Sequence, residues 1–286
     1  MRDHFLPFKD IKLHIRAYES DREDPCIIFI PGITAHVGFY SDMIPGANFM
    51  AHMSGQGFNV IGLDLPGHGE SGGPRGLYTI EGLIECVSAV VDWIIENYNS
   101  NIAIMGSSLG GILCPYLAHG EKRIKAIVAH NVADLKEELP IIILRQKLII
   151  GLSKPVAPLL LKLKAPVLPA YAVFDVSHVW ENPEFHKLWR KDSLCVWWYP
   201  ASTIADIFLN PGPKPALGEI TTPILVVDGE YDWIFPADYC RRQAGKFGGH
   251  SDFEVIAKAG HELPVEHMTD FAHLASWWLK ERLALA

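Results

Sequence analysis

The amino-acid sequence predicts an α/β fold, in which helices cover both faces of a mostly parallel central sheet. Short runs rich in β-branched residues alternate along the chain with longer segments of helical periodicity, as in successive strand–helix–strand units. Most of these runs are apolar at consecutive positions, which is typical of parallel strands buried on both faces. One long stretch, residues 136–217, lacks this alternation. The pattern therefore predicts a parallel α/β core that carries an insertion.

Six apolar runs are predicted to form the parallel strands of the core. They are residues 26–30, 58–63, 101–105, 124–129, 223–228 and 253–257. Before these runs, residues 4–8 and 11–18 alternate between apolar and polar side chains. They are predicted to form an antiparallel hairpin at the start of the sheet. Helical periodicity near residues 40–54, 79–98, 109–119, 236–247 and 266–284 predicts the helices that pack on the sheet.

The stretch at residues 136–217 contains apolar segments of helical character that are repeatedly interrupted by prolines, and it contains no clean strand. A loop of this length without secondary structure is uncommon inside a compact domain. We therefore predict an inserted helical cap at residues 136–217. The cap would divide the α/β core into a first part, residues 1–135, and a second part, residues 218–286.

Composition excludes several classes of protein. The chain has 286 residues, a hydrophobic fraction of 49% and a formal net charge of −8, so it is too apolar for a disordered protein. Its acidic balance argues against a nucleic-acid partner, which usually requires a basic face. No apolar run approaches the roughly 18 residues of a membrane-spanning helix, and the first residues lack the apolar segment of a secretory signal.

The five cysteines are scattered and mostly lie among apolar residues. They are interpreted as buried thiols in a reducing compartment, which favours a cytoplasmic protein. Spacings typical of metal ligands are absent, so neither a metal ion nor a cofactor is expected.

The strongest chemical signal is the segment at residues 106–111, Gly-Ser-Ser-Leu-Gly-Gly, which follows a predicted strand and opens a predicted helix. A G-x-S-x-G pattern in this position is typical of a tight strand-to-helix turn that exposes a nucleophilic serine above the sheet. Ser107 and Ser108 compete for this role, but only Ser108 has a glycine two residues before it and two residues after it. Ser108 is therefore predicted to be the nucleophile.

A serine hydroxyl requires a base, and the base requires a group that orients it. Asp232 lies in the turn after the predicted strand 223–228, and His261 lies in the turn after strand 253–257. Loops at the carboxyl ends of parallel strands converge on one crevice, so these side chains are predicted to meet Ser108 there. Their chain order, serine, aspartate, histidine, is the order expected of this architecture.

Two other aspartates and two other histidines compete for these roles. Asp228 ends the same strand, and Asp134 follows strand 124–129. His68 lies in a glycine-rich loop, where it is expected to support the turn, and His267 lies in the predicted last helix. Asp64 is expected to hold the glycine-rich loop.

With these motifs the chain resembles the α/β-hydrolases, and it is similar to their monoacylglycerol lipase and lysophospholipase branch. Residues 62–71, Gly-Leu-Asp-Leu-Pro-Gly-His-Gly-Glu-Ser, are similar to the D-x-x-G-x-G-x-S loop of that family. Residues 31–36 stand where the family usually has a His-Gly turn, but Pro31 replaces the histidine. The resemblance covers nearly the whole chain and is weakest across residues 136–217.

The resemblance implies an α/β-hydrolase fold and a role for each candidate residue. Ser108 would attack a carbonyl carbon, His261 would carry the proton, and Asp232 would orient the imidazole. The backbone N–H groups of Leu109 and Ile33 would form the oxyanion hole.

The implied activity is a serine hydrolase that cleaves carboxylic esters with an apolar acyl group, such as monoacylglycerols, through an acyl-enzyme. A C–C bond hydrolase, an amidase, a thioesterase or an acyltransferase remains open, because the same triad serves each of them. A non-catalytic ligand-binding protein with this fold is the more remote alternative.

Residues 139–164 of the predicted cap contain five lysines and arginines and no acid, set among apolar residues. This pattern suits a lid over an acyl chain or a segment that contacts a lipid surface through its lysines. Plain packing of cap helices on the core is an equally open interpretation. A small acyl ester is the expected partner, peripheral lipid contact is a further possibility, and the oligomeric state is left open.

Overall fold

The computed structural model describes residues 1–137, 154–174, 176–209 and 214–284. An eight-stranded sheet with the order β1-β2-β4-β3-β5-β6-β9-β10 forms the core. Its strands are β1 (Arg2–Phe8), β2 (Ile11–Tyr18), β3 (Cys26–Ile30), β4 (Asn59–Leu63), β5 (Ile102–Ser107), β6 (Ile124–His130), β9 (Ile224–Gly229) and β10 (Ser251–Ile256). The two β1–β2 and β2–β4 pairings are antiparallel, whereas all pairings from β4 to β10 are parallel. The predicted fold class is confirmed.

Helices cover both faces of this sheet, and each face has its own apolar cluster. The helices of the core are α1 (Phe49–Gly55), α2 (Ile80–Asn97), α3 (Leu109–Gly120), α8 (Ala237–Ala244), α9 (Leu263–Glu266) and α10 (Met268–Ala284). Side chains of α2, α3 and α8 pack on one face, and side chains of α1 and α10 pack on the other. Strands β3, β4, β5 and β9 are buried at every position, which explains their continuous apolar sequences.

The predicted helix at residues 40–54 is shorter than expected. A 3₁₀ turn occupies Val37–Tyr40, and α1 begins only at Phe49, where the Asn48 side chain caps it by accepting a hydrogen bond from the Ala51 N–H. Pro45 disfavours a helical conformation in the residue before it, and Gly46 adopts a positive φ of 79°. This Pro-Gly pair therefore separates the 3₁₀ turn from the helix.

The segment between β6 and β9, called the insert below, adds no described strand to the main sheet. Its described elements are α4 (Ala157–Leu160), β7 (Pro166–Pro169), α5 (Ala170–Val173), α6 (Pro183–Lys191), β8 (Trp198–Pro200) and α7 (Ala201–Phe208). The expectation of an insert without strands is wrong, because β7 and β8 pair as a small antiparallel sheet. These strands have only four and three residues and carry prolines, so they give no recognisable strand pattern.

Two predictions about the insert concern its cationic segment and its position over the active site. Residues 139–153, which make up more than half of the cationic segment 139–164, lie outside the described residues. That residues 136–217 act as a cap over the active site stays a prediction.

Among the described helices, none is both long enough and apolar enough to cross a membrane. All five cysteines are buried free thiols.

Candidate active site

Ser108 occupies the sharp turn between β5, which ends at Ser107, and α3, which begins at Leu109. Its backbone angles, φ 53° and ψ −120°, are unfavourable for a residue with a side chain. The turn needs glycine on both sides of the serine. A Cβ atom on Gly106 would lie 2.4 Å from the carbonyl carbon of Gly110, and one on Gly110 would lie 2.2 Å from the carbonyl oxygen of Ile30. Close backbone packing therefore presents Ser108 at the end of the strand.

The structure brings Ser108, His261 and Asp232 together in one line of hydrogen bonds. His261 Nε2 lies 2.9 Å from Ser108 Oγ, and His261 Nδ1 lies 2.7 Å from Asp232 Oδ2. The ionised Asp232 accepts a hydrogen bond from the Nδ1–H group, which leaves Nε2 free to accept the hydroxyl hydrogen of Ser108. All three side chains are buried, and they come from the turns that follow β5, β9 and β10.

Asp232 is held by donors on both carboxylate oxygens. Oδ1 accepts from the backbone N–H groups of Ile234 and Phe235, at 2.7 and 2.9 Å, and Oδ2 accepts from Asn131 Nδ2 at 3.1 Å in addition to His261. Burial alone would raise the pKa of Asp232, but the nearby His261 and these donors hold it well below its usual range. Burial likewise works against protonation of His261, yet the Asp232 carboxylate outweighs it and raises the His261 pKa.

The competing acids, Asp228 and Asp134, make no hydrogen bond with His261 in the described part of the chain. Asp228 Oδ1 accepts from Asn131 Nδ2 at 2.9 Å and from the backbone N–H of Gly229, and its Oδ2 has no partner among the described residues. Burial, together with the charge of Asp232, raises the pKa of Asp228 to about 8. Asp134 accepts from the N–H of Lys136 two residues along the chain. The pair Asp228 and Asp232 therefore carries one negative charge at neutral pH, and that charge is on Asp232, which contacts His261.

The competing histidines also have other partners. His68 lies in the glycine-rich loop, where it contacts the Pro66 carbonyl oxygen at 3.2 Å and the Tyr199 hydroxyl of the insert at 2.8 Å. Asp64 supports the same loop, because its carboxylate accepts from the N–H groups of Val37 and Glu70. His267, which follows α9, pairs with Glu181 of the insert at 2.7 Å.

The two backbone donors expected at an oxyanion hole line the same cleft as Ser108. Leu109 is the first residue of α3, where the N–H groups of the first turn have no partner within the helix. Ile33 lies in a turn closed by a 3.2 Å hydrogen bond from the Ala35 N–H to the Gly32 carbonyl oxygen. Across the described ranges, neither the Ile33 nor the Leu109 N–H group makes a hydrogen bond with the protein.

The cleft above Ser108 is lined mainly by apolar side chains. Those contributed by the insert are Phe174, Val176, Val179, Trp180, Trp189 and Phe208. The core adds Ile112, Ile234 and Phe235 to the lining. An apolar wall around one reactive cluster is typical of a small-molecule site.

Glu262 is an acidic lining residue that sequence reasoning missed. It follows His261 directly, is 4% exposed, and its Oε2 atom has no hydrogen-bond partner in the described part of the chain. Burial raises the pKa of Glu262 to about 8, so the side chain is mostly a neutral acid at pH 7. A signal was available, since an acid next to the predicted histidine necessarily lies near the reaction centre.

Two groups of side chains have the composition of metal ligands, but in each group two of the three members already form a hydrogen bond with each other. In the group His36, Asp192 and Cys195, His36 Nδ1 accepts from the Gly38 N–H, so its Nε2–H donates to Asp192 at 2.7 Å. The second group, His130, Asp232 and His261, contains two members of the line of hydrogen bonds to Ser108. Neither group leaves three free ligand atoms for a metal ion.

Comparison with known proteins identifies the family and the fold of the chain. A protein-family model described as serine aminopeptidase, S33, matches residues 21–268. Solved structures give the same fold. A monoacylglycerol lipase from Paleococcus ferrophilus matches with a TM-score of 0.75 and 22% identity, over 94% of this chain and 99% of that chain.

A soluble variant of monoglyceride lipase from Saccharomyces cerevisiae matches with a TM-score of 0.74 and 14% identity, over 98% and 94% of the two chains. An enol-lactonase from Burkholderia xenovorans matches with a TM-score of 0.65 and 20% identity, over 97% and 100%. No curated protein sequence matches the chain.

Proposed function

The chain belongs to the serine aminopeptidase S33 family of α/β-hydrolases, and from this membership we propose that it is a serine hydrolase of carboxylic esters with an apolar acyl group. The observation that carries the proposal is the line of hydrogen bonds from Ser108 through His261 to Asp232, in which Ser108 and His261 line an apolar cleft. A buried serine, a base and an orienting acid in hydrogen-bond contact are the parts of a nucleophilic acyl-transfer site.

In the first half of the reaction, Ser108 Oγ attacks the ester carbonyl carbon while His261 Nε2 takes the hydroxyl proton. Asp232 stabilises the imidazolium and keeps Nε2 directed at the reacting atoms. The tetrahedral intermediate then breaks its bond to the alcohol oxygen, which leaves with the proton from His261. In the second half, His261 takes a proton from water as the water oxygen attacks the acyl-enzyme. The second tetrahedral intermediate then breaks its bond to Ser108 Oγ, which takes the proton back from His261, and the carboxylic acid is released.

Negative charge that develops on the carbonyl oxygen requires donors that are already in place. The N–H groups of Ile33 and Leu109 are proposed for this role, because both are unpaired within the described residues and both residues line the cleft with Ser108. Each such donor commonly contributes about 3 kcal/mol to the lowering of the barrier. The N-terminal end of α3 adds a partial positive charge beside Leu109.

An apolar acyl group suits the cleft better than the charged end of a peptide. The side chains that the insert contributes to the cleft are apolar. Three similar solved structures are named for activities on esters: two are monoglyceride lipases and one is an enol-lactonase. An aminopeptidase must bind the cationic amino terminus of its substrate. Glu262, an acidic residue beside the reaction centre in the described cleft, is mostly neutral at pH 7 because burial raises its pKa to about 8.

The same insert carries the proposed contact with a lipid surface. Its described part exposes the apolar side chains Val156, Leu159, Leu163, Tyr171 and Trp198. Lys162 and Lys164, which flank Leu163 in the sequence, are exposed as well. Apolar side chains flanked by lysines favour attachment to the boundary between lipid headgroups and acyl chains. Such attachment would bring the cleft to a substrate that resides in a lipid aggregate.

The proposal is tested by labelling and by substrate preference in one set of proteins. A fluorophosphonate should label the wild type and a Ser107→Ala variant, and it should not label Ser108→Ala. Ser107 is the matched control, because its hydroxyl is buried and contacts His130 at 3.0 Å. On p-nitrophenyl esters the rate should rise from acetate to medium chains, and a monoacylglycerol should be cleaved faster in micelles than as a monomer.

Two outcomes would redirect the assignment. Labelling of Ser108 combined with negligible rates on every ester would favour amide, thioester or C–C bond cleavage by the same triad. Cleavage of an alanine p-nitroanilide at rates above those of the esters would favour the aminopeptidase activity that the family description names. Equal rates on monomers and micelles would contradict the lipid contact alone.

A further inference from the structure

Thr34, next to the proposed oxyanion donor Ile33, is held entirely by residues of the insert. Its N–H donates to the Tyr199 hydroxyl oxygen at 3.0 Å, its carbonyl oxygen accepts from the Val196 N–H at 3.0 Å, and its Oγ1 accepts from Trp189 Nε1 at 2.9 Å. Each polar group of Thr34 therefore has a partner that lies more than 150 residues further along the chain.

Thr34 adopts a conformation that a free turn would not select. The hydrogen bond from the Ala35 N–H to the Gly32 carbonyl oxygen makes residues 32–35 a β-turn, and Thr34 has a φ of 65°. Positive φ at the third turn position and not at the second is the mark of a type II turn, which prefers glycine there. For a β-branched residue this conformation persists only when the surroundings enforce it.

The Tyr199 hydroxyl is the central group in this enforcement. His68 Nδ1 lies 3.2 Å from the Pro66 carbonyl oxygen, which can only accept, so the hydrogen of the neutral ring is on Nδ1 and Nε2 is an acceptor. Burial lowers the pKa of His68 to about 4, which keeps the ring neutral. Tyr199 therefore donates to His68 Nε2 at 2.8 Å and accepts from the Thr34 N–H through the same oxygen.

We propose that Tyr199 is a positioning residue for the oxyanion hole. Its hydroxyl links the glycine-rich loop, through His68, to the strained turn at Thr34, and this link keeps the Ile33 N–H directed at the site where the oxyanion forms. The insert thus completes the reaction centre in addition to lining the cleft. This inference rests on the proposed function, because it requires the oxyanion hole at Ile33.

The decisive variant is Tyr199→Phe, which removes one oxygen atom and keeps the ring. Tyr78→Phe is the matched control. Tyr78 is also buried, its ring also packs against His68 at 5.6 Å between ring centres, and its hydroxyl has no hydrogen-bond partner in the described structure. Loss of a whole oxyanion donor costs about 100-fold to 1,000-fold in kcat. For a misdirected donor we expect kcat to fall about 10-fold in Tyr199→Phe, with KM changed less than 2-fold, and neither constant to change in Tyr78→Phe.

A second variant separates positioning from general loss of structure. Glycine adopts a positive φ without strain, so Thr34→Gly should make the turn less dependent on Tyr199. The double variant Thr34→Gly/Tyr199→Phe should therefore react several-fold faster than Tyr199→Phe alone. A kcat of Tyr199→Phe equal to that of the wild type, or no recovery in the double variant, would overturn the proposal.

The rate of Ser108 labelling by a fluorophosphonate makes the test independent of the substrate. The phosphoryl oxygen of the reagent occupies the oxyanion hole during attack, so the labelling rate should fall with the same factor as kcat. If esters are not substrates but the labelling rate falls in Tyr199→Phe, the ester proposal fails and the positioning role stands. If esters are cleaved and the labelling rate does not change, the positioning role fails and the ester proposal stands.

Discussion

The reactive floor of the cleft and the apolar lining that the insert contributes hold their side chains by different interactions. The floor is formed by Ser108 and His261, which line the cleft, and it is supported by Asp232 behind His261. These three residues follow β5, β10 and β9 and are joined by hydrogen bonds of 2.7 and 2.9 Å. The apolar part of the lining that the insert contributes, called the roof below, consists of Phe174, Val176, Val179, Trp180, Trp189 and Phe208. The polar groups of the floor form directional hydrogen bonds with one another, whereas the roof lines the cleft with apolar surface, whose contacts are not directional.

This difference separates the reaction from the choice of substrate. A reaction centre requires groups held within a few tenths of an ångström, and loops at the ends of buried strands provide that rigidity. Selection of an acyl group requires apolar area of suitable shape, which many side chains could supply. The two regions meet at Thr34, where the insert holds the turn beside the floor.

The largest effect is expected from the floor. Asp232→Asn should lower kcat by about 1,000-fold to 10,000-fold, because an amide cannot stabilise the imidazolium and favours the wrong tautomer of His261. The matched variant is Asp228→Asn. Because burial and the Asp232 charge raise the pKa of Asp228 to about 8, that side chain is already neutral at pH 7. Its replacement should change kcat less than about 3-fold.

Steady-state kinetics from pH 5 to pH 9 provide a second readout of the same pair. The Asp232 carboxylate outweighs the effect of burial and raises the pKa of His261, so activity rises with pH as that ring loses its proton. Without this carboxylate the pKa of His261 should fall, and the acidic limb of the profile should move to lower pH in Asp232→Asn. Equal losses of kcat in the two variants would contradict the division of roles between Asp228 and Asp232.

An intermediate effect is expected from the roof. Trp180 lines the cleft and is 8% exposed, so Trp180→Ala removes apolar area that an acyl chain would contact. The loss is about 2 kcal/mol of contact energy, or roughly a 30-fold rise in KM for an octanoate ester. The rate on an acetate ester should change less than about 3-fold. Trp277, which is 55% exposed on α10, is the control, and Trp277→Ala should leave both substrates unaffected.

The smallest effect on catalysis is expected from Glu262, which lines the cleft next to His261 and is tested through stability instead. Burial raises its pKa to about 8, so between pH 5 and pH 8 the folded protein keeps a proton that the unfolded chain releases. The free energy of unfolding therefore falls as pH rises through this range. The charges that face Glu262 are those of His261, Glu266 and Asp232.

Glu262→Gln removes this dependence. The difference in free energy of unfolding between Glu262→Gln and the wild type should grow in favour of the variant by about 3 kcal/mol from pH 5 to pH 8. Urea unfolding at several pH values measures it, and Glu254→Gln at an exposed site is the control. A constant difference across pH would show that Glu262 ionises normally in the folded protein.

Local sequence was sufficient to predict the core. Buried parallel strands require continuous apolar runs, and the turn at Ser108 requires glycine on both sides, so both leave clear local patterns. The chain order of strand ends was enough to place Asp232 and His261 on the crevice that holds Ser108. The insert was harder, because β7 and β8 are short, contain prolines and pair across about thirty residues, so neither strand is recognisable alone.

The sequence by itself therefore determined the sheet, the sharp turn at Ser108 and the candidate partners of that serine. Only the tertiary structure decided that Asp228 is neutral beside a charged Asp232, that Glu262 is an uncharged lining residue, and that Tyr199 holds Thr34. The physical reason is that strand and turn patterns arise from neighbours along the chain. Ionisation and backbone strain depend instead on burial and on hydrogen-bond partners that are distant in sequence.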